Sequence, residues 1–323
     1  MGAGRNDRPI RRHGLRVAAW ALPMLAAWIG CATLGDRGKA LVPTRNRIRT
    51  GSFLLFSNAP MAENAPAVRC LRALEHDLRQ HLAFQPPLGD DPVEIYVLDD
   101  REAFAHFLQF YYPELPPRRA FFLAQGQDRV VYTYASPRLE EDLRHEATHA
   151  LVRGAYGDLP LWLDEGLAEY FESDLAQADI ERRRIAELTN DLHNTWSPNL
   201  ERLESLNDIR QMTPRDYREA WAWVDLLLNG PEPGRSLLMG YLGEAGRAPK
   251  KTSLSSRLSP AGLTNDRLVA YLQNPQAGAV AGAGSAQPAR EPGSFRLQDR
   301  PIEPAPLTRP RGLLRRLGAW LGL

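Results

Sequence analysis

Hydrophobic and polar positions divide the chain into two blocks. In the first, short alternating runs take turns with helical stripes; in the second, nearly every apolar stretch has helical spacing. Ser52-Phe53-Leu54-Leu55-Phe56-Ser57 predicts a strand, and residues 65–82, with Leu71, Leu74 and Leu78 in register, a helix. Val93-Glu94-Ile95-Tyr96-Val97-Leu98 alternates as a second strand, and residues 101–111 predict a helix stopped before Pro113. Residues 120–123 and 129–134 predict a hairpin around Gln125-Gly126-Gln127-Asp128. In the second block, Leu143, Ala147, Ala150 and Leu151 form one helical stripe. Gly154 and Gly157 supply stop signals, and Asp158-Leu159-Pro160 reads as cap and first turn of a second helix whose core face is Leu163, Leu167, Tyr170 and Phe171. Further helices are predicted over 175–193, 214–228, 235–241 and 268–272. The fold class expected is therefore α+β, with a small mixed α/β part over 47–137 and a mainly helical part over 138–274.

What lies off the first stripe is informative. His145-Glu146-Ala147-Thr148-His149 places two imidazoles at i and i+4, about 40° apart around a helix and one turn apart along it, so both can reach one cation. Glu146 is beside them but off their line, which suits a general base acting on a metal-bound water rather than a ligand. Fifteen residues separate His149 from Glu165. Glu165, Glu169 and Glu172 share one face of the second helix, where like charges at this spacing repel by some tenths of a kcal/mol, roughly what a nearby cation offsets. An acidic stripe alone is an ordinary solvated face; one that follows two histidines at ligand spacing points to a metal.

The whole arrangement, His-Glu-x-x-His followed by Trp162-Leu163-Asp164-Glu165-Gly166-Leu167-Ala168-Glu169-Tyr170, resembles the gluzincin metallopeptidases, in particular the peptidase MA-like proteases of bacterial envelopes. The resemblance implies a zincin-like fold in which His145, His149 and Glu165 bind Zn2+ and Glu146 is the catalytic base and proton shuttle. It also implies Glu169 as the acceptor that holds a ligand histidine's other ring N–H, fixing its tautomer. Gluzincins use a downstream Tyr or His as a second electrophile, and Tyr217 is the candidate here, although its place near Trp221 and Trp223 also suits a packing residue. In the family the strand nearest the metal helix aligns an extended peptide by backbone hydrogen bonds, and residues 130–134 are the candidate edge. Three protein ligands leave one zinc position for water, which is sufficient for hydrolysis of a peptide or protein substrate. The competing reading is a noncatalytic envelope lipoprotein that keeps the fold as a binding or scaffold module.

Composition modifies this picture mainly at the ends. The 323 residues carry a net charge of +1 with 43% hydrophobic and 24% charged residues, enough for one sizeable core or two modest ones. No basic stripe interleaved with aromatics marks the folded region, so no nucleic-acid partner is expected. The first thirty residues hold five arginines and one aspartate, and residues 17–30 are an uncharged apolar run. Residues 1–30 thus read as a signal peptide. Ala27-Trp28-Ile29-Gly30-Cys31 resembles a bacterial lipobox, with Cys31 the residue to be lipidated; an uncleaved membrane anchor is the alternative. Residues 31–46 would be a tether, with a basic stretch at 45–49. Cys70 is the other cysteine and reads as a small packing residue, and His76, His81, His106 and His193 lack a second ligand at useful spacing. Residues 275–310, rich in Pro, Ala, Gly and Arg, predict a linker. Residues 311–323 would place Leu313, Leu314, Leu317, Trp320 and Leu321 on one helical face with arginines outside it, suiting either an anionic membrane surface or docking onto the protein.

Overall fold

The computed structural model describes residues 42–85, 91–125, 128–173, 178–194, 196–245 and 253–274. The expected signal peptide, Cys31, most of the tether, the linker and the tail helix lie outside the described residues. Among the described residues, no helix is long and apolar enough to cross a membrane.

Five strands form one mixed sheet, in the spatial order β1 (Asn46–Thr50), β2 (Phe53–Ser57), β3 (Val93–Leu98), β5 (Asp128–Tyr134) and β4 (Phe121–Gln125). β3 runs parallel to both β2 and β5, while β1 and β4 pair antiparallel at the two ends. Alternation along the strands gives the sheet two apolar faces. Phe53, Leu55, Val93, Ile95, Val97 and Val131 join the main core with helix α1 (Pro66–Leu82) and helix α3 (Leu139–Tyr156). On the other face Phe56, Tyr96, Tyr132 and Phe121 stack in a row, with centroids 4.7, 5.4 and 5.1 Å apart. Phe104 and Phe107 of helix α2 (Arg101–Tyr111) cover that row.

Two sequence expectations need correction here. Residues 45–49, read as part of a tether, mostly belong to β1: Arg47 and Arg49 are exposed, Thr50 is buried and Ile48 packs on the core. The alternation was masked because its outward half is arginine. The β1–β2 hairpin turns at Gly51 (φ +53°), where a Cβ would collide with the Glu75 carboxylate that binds the Ser52 N–H at 3.1 Å. Residues 130–134, expected as the sheet edge, are internal, and among the described residues the edge strand beside α3 is β4. Burial explains the order: Val131, Tyr132, Thr133 and Tyr134 are all buried, as an inner strand must be, whereas Phe122, Leu123 and Ala124 are only partly so.

The rest is helical: α4 (Leu161–Phe171), α5 (Ala178–His193), α6 (Leu200–Ser205), α7 (Pro214–Asn229), α8 (Gly234–Ala245), α9 (Leu254–Leu258) and α10 (Asn265–Gln273). This order, a mixed sheet region and then a mostly helical one, is the outline expected of a zincin-like chain. α6 and α9, of six and five residues, were not foreseen. α3 passes through Gly154 and ends at Gly157, whose φ of +72° is left-handed. Asp158 does not cap α4; it pairs with Arg153, and Pro160 leads into the helix with its fixed φ of −55°. Gly166 lets α4 and α7 approach closely, because a Cβ there would lie 2.7 Å from the Ala220 carbonyl oxygen and 3.0 Å from Val224 Cγ2.

Asp225, wholly buried on α7, accepts hydrogen bonds from Asn229 Nδ2 (2.8 Å) and the Tyr271 hydroxyl (3.0 Å). Burial nevertheless pushes its carboxyl up to about 6; Glu181 on α5 adds to this, while Asn229 and Tyr271 oppose it. An unfolded aspartate ionises near about 3.9, so the native state holds this proton more tightly, and stability falls as pH rises between about 4 and about 6. Asp225→Asn is expected to remove that part of the decline. Denaturant unfolding of parent and variant from pH 4.5 to 7.5 checks it: the stability difference between them should grow with pH toward neutrality in favour of the variant.

Candidate metal centre

The buried stripe of α3 fixes its orientation, and with it the histidines. Leu143, Ala147, Ala150 and Leu151 are fully buried. Arg144, itself buried, donates from Nε to the Phe171 carbonyl (2.7 Å) and from Nη2 to Asp77 (2.7 Å), pinning α3 to α4 and α1. His145 and His149 then face α4. His145 Nε2 and His149 Nε2 lie 3.3 Å apart, and each is 3.7 Å from Glu165 Oε2. His149 and Glu165 are buried and His145 is half-buried.

These three donors are geometrically compatible with a metal ion. A triangle with sides 3.3, 3.7 and 3.7 Å has a circumscribed circle of about 2.1 Å radius, the length of a zinc bond to nitrogen or carboxylate oxygen. A tetrahedron with such bonds sets its corners about 3.4 Å apart, so closing the site requires shifts of only about 0.3 Å.

The other ring nitrogens have carboxylate partners. His145 Nδ1 is 3.1 Å from Glu172 Oε2. His149 Nδ1 is 3.0 Å from Asp164 Oδ2, an ion-pair distance at an angle too bent for a good hydrogen bond. Both contacts turn the Nε2 atoms inward, as ligand histidines require. The geometry therefore places Glu172 and Asp164 where Glu169 was expected. Glu169 instead faces Arg184 of α5, whose Nη1 is 3.2 Å from its Oε2 and whose Nη2 binds Glu172. His145, Glu169 and Glu172 also lie close enough to hold an ion, but the Arg184 guanidinium already supplies the cation there and rests 5.6 Å from the centre of the Trp221 ring.

Charge in this small volume is finely divided. Burial disfavours an ionised Glu165, yet His149, His145 and Arg118 outweigh it and hold the carboxyl below its usual range. Burial likewise opposes protonation of His145, but Glu165 and Glu172 raise it well above the imidazole range; for His149, Asp164 and Glu165 overcome burial and raise it to about 9. Such imidazoles hold protons that a divalent cation would displace, so metal uptake is expected to release protons. Glu146 is half-buried beside them, outside the donor triangle, and burial raises its carboxyl against the pull of both histidines. Tyr217, half-buried on α7, is drawn into the same group. Burial and the charges of Glu165, Glu169 and Glu146 raise its hydroxyl far above the usual range.

Asp164, Glu172, Arg184 and Arg118 were missed by sequence reasoning. Glu172 had a signal, lying three residues beyond Glu169 on the same face, whereas Arg118 and Arg184 come from elements with no motif. Cys70 donates to the Ala67 carbonyl at 3.1 Å, and burial pushes its thiol up to about 12, as suits a packing residue.

No protein-family model and no curated protein matches the chain. Among solved structures, the chain is similar to a mutant M1 zinc metallopeptidase from Deinococcus radiodurans, at 16% identity and a TM-score of 0.35 over 77% of this chain. The match spans only 54% of that protein's length.

Proposed function

We propose that the chain is a zinc-dependent peptidase. The observation that carries this reading is the triangle of His145 Nε2, His149 Nε2 and Glu165 Oε2, sized for a zinc ion, with a half-buried carboxylate, Glu146, next to it. Zinc held there would supply a Lewis acid that polarises a carbonyl and lowers the pKa of water toward about 7. Glu146 takes the proton of the attacking water and returns it to the leaving nitrogen. Tyr217 stays protonated at any physiological pH and donates its hydroxyl hydrogen to the oxygen on which negative charge develops. The open edge of β4 offers backbone groups that align an extended peptide. Glu172 and Asp164 hold the imidazoles in place. The arginine-rich start and apolar run of residues 5–30 support export, with peptides or proteins of a bacterial envelope as substrates and lipidation at Cys31 as the tether.

The test is a peptide library offered to the zinc-loaded full chain, with and without a chelator. Cleavage that stops on chelation and returns with zinc is expected. A fully loaded chain that cuts nothing would overturn the peptidase in favour of a noncatalytic binding module.

A further inference from the structure

The Glu172 carboxylate is divided between two partners. Its Oε2 lies 3.1 Å from His145 Nδ1, across the imidazole from the donor Nε2, while its Oε1 accepts from Arg184 Nη2 of α5. Glu172 is the cap residue at the end of α4, where helices fray, so neither its backbone nor its side chain is fixed by the helix alone. Arg184 acts on both. Its Nη1 donates to the Glu169 carbonyl at 2.8 Å, one of the last carbonyls that α4 cannot pair within itself, and lies 3.2 Å from Glu169 Oε2. The Phe171 carbonyl is held in the same way by Arg144 Nε at 2.7 Å. A guanidinium presents its donors in a rigid plane, so one side chain can grip a carbonyl and two carboxylates together.

Arg184 is itself anchored. Ile185 and Leu188 sink α5 into the main core, Thr189 Oγ1 donates to the Leu272 carbonyl of α10 at 3.3 Å, and Arg218 Nη2 of α7 lies 2.8 Å from Asp191. The guanidinium carbon rests 5.6 Å from the centre of the buried Trp221 ring. Arg184, Glu172 and His145 therefore form a continuous line of contacts from a packed helix to a metal donor. An arginine that only tied α5 to α4 would not need its partner's second oxygen on a ligand histidine.

We propose that Arg184 is a positioning residue of the metal centre: by holding the Glu172 carboxylate it fixes the His145 imidazole, and so raises the affinity of the site for its metal. The proposal rests on the metal-binding part of the reading above and not on peptide hydrolysis.

Zinc Kd, measured on the full chain by competition with a chelator, tests it in the parent, Arg184→Met, Glu172→Gln and the double variant, with circular dichroism to establish folding. Arg184→Met is expected to weaken zinc roughly tenfold and Glu172→Gln by roughly 10–100-fold, with the double variant no weaker than Glu172→Gln alone, because both changes break one line of contacts. Arg184→Lys keeps the cation without the fork and should fall between the parent and Arg184→Met. If Arg184→Met does not fold, Arg184→Lys and its double with Glu172→Gln are read in the same way. Parental Kd in a folded Arg184→Met, or losses that multiply in the double variant, would overturn the proposal whatever the chain cuts. Zinc bound with the expected ratios but no peptide cleaved would uphold Arg184 and overturn the peptidase. A parent that takes up no zinc would overturn both.

Discussion

Glu146→Gln is expected to lower peptide hydrolysis by roughly a hundredfold to ten-thousandfold while leaving bound zinc at the parental level. Glutamine preserves the size and shape of the side chain, so α3 keeps its packing on Leu143, Ala147 and Leu151. What disappears is the Glu146 carboxylate, which lies beside the histidines without belonging to the donor triangle. The loss should fall on kcat with KM little altered, because proton transfer is made in the transition state and not on binding. Steady-state kinetics beside a metal assay reads both halves. Undiminished turnover in the variant would remove Glu146 from the mechanism.

Glu165→Ala has the second large effect, and it acts one step earlier. Glu165 is buried and, among the described residues, is the single carboxylate within 3.7 Å of both imidazole Nε2 atoms, so its removal leaves two histidines, too few for a catalytic zinc site. Stoichiometric zinc should be lost on dialysis, and hydrolysis with it. The drop in affinity should exceed the roughly 10–100-fold that follows loss of an outer partner such as Glu172. Glu169→Ala is the informative companion: its carboxylate faces Arg184, not a ring nitrogen, so this variant should retain zinc. Zinc loss from Glu169→Ala with retention in Glu165→Ala would reverse the assignment.

The donor set was legible because it obeys local rules. His145 and His149 share a helix face by spacing, Glu165 stands at the start of an acidic stripe, and Gly166 marks a close crossing that only a glycine permits. The hairpin of β4 and β5 could also be read, with Gln125 opposite Asp128. Its position in the sheet could not, because alternation describes one strand's two faces and says nothing of its neighbours. β1 was hidden since two of its five residues are exposed arginines. The groups that orient and neutralise the centre escaped for a related reason. Arg184 reaches Glu172 from a helix twelve residues on. Such contacts depend on tertiary packing, which leaves no periodic mark. Glu172 was passed over for Glu169 because one helical turn is a coarse ruler, and the side chain of a C-terminal cap residue can swing back to His145 at 3.1 Å.

The most direct test is anomalous diffraction at the zinc edge from crystals of the zinc-loaded full chain. The predicted result is a single peak about 2.0–2.2 Å from His145 Nε2, His149 Nε2 and Glu165 Oε2. No peak between these atoms, or a peak held by Glu169 and Glu172 instead, would contradict it.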